Sequence, residues 1–96
     1  MIVEVEVLPH PPGTPEDRYR HVEAAIAAIA AAGVRYEVEA LGTTFEAEPD
    51  QAWLLVRQVH EAALAAGAES VLTVVKVAQG AAGGPTMAGL TGKFRS

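Results

Sequence analysis

Apolar and polar residues alternate along three stretches of the chain and follow helical spacing along two others. Ile2–Leu8 alternates Val3, Val5 and Val7 with Glu4 and Glu6, the period-two signature of a half-buried strand. Pro9, Pro11 and Pro12 are expected to end it, because proline cannot donate to a ladder. Thr14 then resembles a helix N-cap, with Pro15 at the first helical position and Asp17 completing an acidic capping box. The helix is predicted from Pro15 to about Ala32. Tyr19, Val22, Ile26 and Ile29 form its buried stripe, with Ala25 and Ala30 filling it, and Gly33 is the stop.

Val34–Ala40 and Thr43–Glu48 alternate again, joined at Leu41-Gly42 as a hairpin. Pro49-Asp50 opens a second helix, Asp50 being a candidate N-cap. Ala52, Leu55, Val56, Val59 and Ala63 form its stripe, and Gly67 ends it. Ser70–Val77 is the last strand, with Val71, Thr73, Val75 and Val77 on one face and Leu72, Val74 and Lys76 on the other. The order β-α-β-β-α-β with right-handed crossovers predicts an α+β, ferredoxin-like sandwich. Its four-stranded antiparallel sheet has strand order 4-1-3-2 and both helices on one face. This domain spans residues 1–78. Residues 79–96 read as a glycine-rich flexible loop and a tail, in which Met87, Leu90 and Phe94 are spaced for a short docking helix.

Six of the twelve acidic residues fall on the helix-free face in this scheme: Glu4, Glu6, Glu37, Glu39, Glu46 and Glu48. Stacked carboxylates repel unless water, a cation or a partner relieves them. Ile2, Leu8, Leu72 and Val74 share that face, so one side of it suits contact with another subunit. The formal charge of −5 and the lack of a basic cluster argue against nucleic acid as a partner. There is no cysteine, which excludes disulfides, thiol catalysis and cysteine–zinc sites. The N-terminus lacks a signal-peptide pattern and Ala24–Ala32 is too short to span a bilayer. The expectation is a cytoplasmic protein without a membrane partner.

Several strings carry a resemblance. Val7-Leu8-Pro9 and Gly13-Thr14 precede the first helix, and Val34-Arg35-Tyr36-Glu37 leads to Leu41-Gly42-Thr43-Thr44-Phe45-Glu46-Ala47-Glu48. His60-Glu61-Ala62-Ala63-Leu64 and Ala66-Gly67-Ala68 then lead into Val71, Thr73 and Lys76. In order and spacing these resemble the small thiamine-binding-protein family, the YkoF-like group once grouped as UPF0045, over roughly residues 1–77. The resemblance implies a ferredoxin-like domain assembling through its sheets into homodimers or homotetramers. It also implies noncatalytic binding of thiamine or its hydroxymethylpyrimidine moiety, with no cofactor. Two segments depart from the family: Val77-Ala78-Gln79-Gly80 replaces an acidic then basic strand end, and His10–Pro15 replaces a hydroxyl-rich loop.

Thiamine presents an aminopyrimidine and a fixed positive charge. Carboxylates suit the amine and the cation, and hydroxyls suit the remaining ring edge. The candidate ligand-binding residues are Glu4, Glu37, Thr44, Glu46 and Lys76, with Glu37 and Glu46 foremost because they sit in the resembling strings. Lys76 is expected either to pair with Glu4 or Glu6 or to bind an anionic group. Thr43 should face the helices. His10, His21 and His60 lack metal-ligand spacing and read as structural, and Trp53 reads as exposed or interfacial. A structural or regulatory homo-oligomer and a cation-dependent enzyme remain as alternatives.

Overall fold

The computed structural model describes residues 1–95. The elements are β1 (Ile2–His10), α1 (Arg20–Ala30), β2 (Arg35–Val38), β3 (Thr43–Glu46), α2 (Pro49–Ala65), β4 (Ser70–Ala78) and α3 (Met87–Thr91), followed by a 3-10 turn at Gly92–Phe94. The sheet order is β2-β3-β1-β4 and every pairing is antiparallel. Read from the other edge this is the expected 4-1-3-2 ferredoxin-like order.

The core lies between the helices and one sheet face. Val3, Val5 and Phe45 from the sheet meet Ala25 and Ile29 of α1 and Ala52, Leu55 and Val59 of α2. Phe45 is the largest side chain completely removed from water. Several of the helix contacts are alanines, so the two helices approach closely but each contact buries little area. Thr43, also buried, faces this layer.

The element boundaries differ from those expected in several places. β1 continues through Pro9 to His10 and pairs with β4 along its whole length, Pro9 opposite Val71 and His10 opposite Ser70. Pairing with β3 stops at Val5, so β1 has one unpaired flank there, and a proline is tolerated. α1 starts at Arg20, not Pro15. Thr14 does accept from the Asp17 amide, at 3.0 Å, but the bond closes a single isolated turn. The first helical amides are satisfied instead by the loop: His21 and Val22 donate to the Pro12 carbonyl at 2.9 and 3.4 Å. Tyr19 and Ala30 are therefore exposed and His21 takes an inward position. α1 ends at Ala30, before Ala32, and Gly33 follows with φ +73°.

The hairpin strands are shorter than expected. β2 covers Arg35–Val38 and β3 ends at Glu46, so Glu48 leaves the sheet and becomes the residue preceding α2. Pro49 takes the first helical position and Asp50 sits inside the first turn, where its charge suits the helix dipole. Among the described residues no helix is long and apolar enough to cross a membrane.

Candidate functional site

The strand registers place four of the five candidate residues in one row across the helix-free face. Glu37 lies opposite Thr44, Thr44 opposite Glu4, and Glu4 opposite Lys76. Glu46 belongs to the next row, between Arg35 and Ile2. The row is a cross-strand ladder of polar groups. Lys76 Nζ lies 3.5 Å from Glu4, both side chains well exposed. The Thr44 hydroxyl donates to Glu39 at 3.1 Å.

The tail occupies the rest. Met87 is buried and its amide donates to the Glu46 carboxylate at 2.6 Å. The Arg95 guanidinium lies 2.7 Å from Glu37. Two of the candidate carboxylates are thus engaged by α3 and the segment after it. Thr86 caps α3, its hydroxyl accepting from Gly89 at 3.0 Å.

A true hollow lies beside this face. β1 has nine residues but pairs with β3 only over Ile2–Val5, while the hairpin turns at Glu39–Gly42. Beyond Val5 the sheet therefore has a notch. A cavity of about 270 Å³ fills it. Its roof is α1, through Val22, Ala25, Ile26 and Ile29, with Val59 of α2 behind. Its walls are Val5–Leu8 of β1 and Val38–Thr43 of the hairpin. Val5 and Val7 face the core while Glu6 and Leu8 face outward, so the cavity passes from the interior to the helix-free face. Gly42 allows the narrow wall: a Cβ there would meet the Val5 carbonyl oxygen at 3.0 Å.

The lining is apolar apart from Thr43 and two carboxylates, Glu6 and Glu39. No basic side chain lines it. Glu6 is half-buried and takes part in none of the three ion pairs among the described residues. Such a hollow suits a flat apolar ring carrying an amine or a positive charge. Its volume lies just below the roughly 300–1,000 Å³ of typical ligand pockets, enough for one small ring system. Both carboxylates belong to the outward acidic set read from the sequence, but the pattern ranks Glu37 and Glu46 above them. Alternation alone put all the outward glutamates on one flat surface and gave no sign of the notch.

The remaining polar groups are used structurally. His21 is buried, and its Nδ1 lies 2.7 Å from the Pro11 carbonyl. His60 Nδ1 lies 2.6 Å from the Thr73 hydroxyl. The exposed Arg57 is pushed above its ordinary pKa by its hydrogen bond to Glu61, and secondarily by that residue's charge. It does not line the notch. Trp53 is exposed on α2. Among the described residues no three metal-ligating side chains gather. A second, more polar hollow of about 370 Å³ lies under the glycine-rich loop, between Glu46, Glu48 and Gly80–Thr86.

The fold and the ring-sized notch define a small binding domain of the ferredoxin-like class. A sequence model of the thiamine-binding-protein family matches residues 3–95, and the chain belongs to that family. It is 41% identical over 58 residues to a UPF0045 protein of Methanothermobacter thermautotrophicus, a match spanning 59% of each chain. The structure resembles that of a domain of unknown function from Bacillus cereus, at 34% identity and TM-score 0.87, covering 98% of this chain and 88% of that one. It also resembles a putative thiamine biosynthesis/salvage protein from Thermotoga maritima, at 22% identity and TM-score 0.82, covering 98% and 97%.

Proposed function

We propose that this chain binds thiamine or its aminopyrimidine part without converting it, with the ring seated in the notch between α1 and β1. One observation carries the reading: an apolar, ring-sized cavity whose mouth holds two carboxylates and no base. Glu6 and Glu39 accept from the ring amine and offset positive charge. Thr44 holds Glu39 in place by its hydroxyl. Glu37, two residues before Glu39 in the chain, supplies the counter-charge for a thiazolium outside the mouth. Glu4 neutralises Lys76, which would otherwise oppose a cationic ligand. Glu46 belongs to the tail contact rather than to the ring.

The buried His21 and the half-buried His60 are engaged by the Pro11 carbonyl and the Thr73 hydroxyl. Assembly is the second part of the proposal. Leu8, Leu72 and Val74 form an exposed apolar strip on the helix-free face, with Leu72 64% accessible. A twofold contact between such strips gives a homodimer, and pairing of dimers gives a homotetramer. Calorimetry with thiamine, thiamine phosphates and hydroxymethylpyrimidine tests the ligand assignment. Saturable heat with at least one compound is expected. No heat across the series at high protein concentration contradicts it.

A further inference from the structure

We propose that Met87–Arg95 is an electrostatic strap that competes with a cationic ligand for the helix-free face. The proposal rests on the binding function above and adds its regulation. The strap is joined to β4 by a linker containing Gly80, Gly83 and Gly84, with Gly83 at φ +108°. Its hold on the sheet is thin. Only Met87 is buried, while Leu90 and Phe94 are 57% and 76% exposed. Polar attachment comes from the Met87 amide on Glu46 and the Arg95 guanidinium on Glu37. A segment with one buried side chain and part-exposed polar contacts opens at low cost.

Charge gives the strap its target. Lys93 and Arg95 are the only charged residues after Lys76, and both are positive. The face Arg95 meets carries Glu4, Glu6, Glu37, Glu39 and Glu46, against Arg35 and Lys76. Arg95 sits on Glu37, two residues before Glu39, which lines the cavity. It therefore holds the counter-charge that a ligand's positive group would take. Ligand entry and strap docking are linked through one carboxylate. By reciprocity a cationic ligand loosens the strap as much as the strap weakens the ligand. A neutral ring of the same shape escapes this competition.

The full-length Arg95→Gln variant tests the idea by calorimetry against thiamine and against uncharged hydroxymethylpyrimidine. Arg95→Gln should tighten thiamine by about 1.5- to 5-fold, the range of a part-exposed ion pair, and leave the neutral compound unchanged. Arg95→Lys should restore wild-type affinity. Hydrogen exchange at the Met87–Thr91 amides should rise when thiamine is added to the wild type. Unchanged or weaker thiamine binding by Arg95→Gln overturns the strap while leaving the binding function intact. If neither protein binds either compound, the binding function itself fails and the strap fails with it.

Discussion

Replacing Glu6 by Gln removes one charge at the cavity mouth while keeping the side chain's shape and an acceptor oxygen. Glu6 is half-buried, lines the cavity and forms no ion pair with any described residue. A hydrogen bond to a charged group contributes about 1.5–3 kcal/mol, and one between neutral groups about 0.5–1.5 kcal/mol. The difference, about 1–1.5 kcal/mol, predicts thiamine binding weaker by about five- to twelvefold. Glu39 is exposed, so its charge is better screened, and Glu39→Gln should weaken binding by less than about fivefold. Folding should not suffer, because Glu6→Gln also removes repulsion from neighbouring Glu4 on the same face. The assay is calorimetry with a parallel thermal melt. Equal affinity of wild type and Glu6→Gln would refute the placement of the ligand's polar edge at Glu6. Lost affinity with a lowered melting point would show damage to the fold instead.

Gly67 holds φ +124°, and a Cβ there would lie 3.1 Å from the buried His21 ring. Gly67→Ala should cost about 1–3 kcal/mol. At roughly 4–8 °C per kcal/mol in a domain of this size, the melting point should fall clearly, and an unchanged midpoint would contradict the argument. Leu72→Lys places a charge in the apolar strip of the helix-free face and should reduce light-scattering mass to the 10.0 kDa monomer. A wild-type protein already monomeric at micromolar concentration would dispose of the proposed assembly.

Element type and order were legible because the apolar period changes cleanly from two to helical spacing and back. The α2 stripe is a good case: Ala52, Leu55, Val59 and Ala63 are all buried. The start of α1 was misread because Thr14-Pro15-Glu16-Asp17 has the residue types of a capping box. The Thr14 hydroxyl closes one turn with the Asp17 amide, and the first amides of the helix go to a loop carbonyl that leaves no side-chain signature. The row Glu37-Thr44-Glu4-Lys76 follows from alternation once register is known, and alternation alone does not give register. The notch was hidden for a related reason. It arises from the unequal lengths of β1 and β3, so Glu6 and Glu39 become cavity residues only after the pairing stops at Val5. The tail contacts had a charge signal, Lys93 and Arg95 opposite an acidic face, but the glycine-rich linker gave that signal no fixed address.

Backbone amide spectra recorded during a thiamine titration test the central claim most directly, because they report where a ligand sits as well as whether it binds. The account predicts saturable shifts concentrated at Val5–Leu8, at Val38–Thr43 and along the Val22–Ile29 face of α1. Shifts concentrated instead around the hollow at Gly80–Thr86, or no shifts with ligand in large excess, would contradict it.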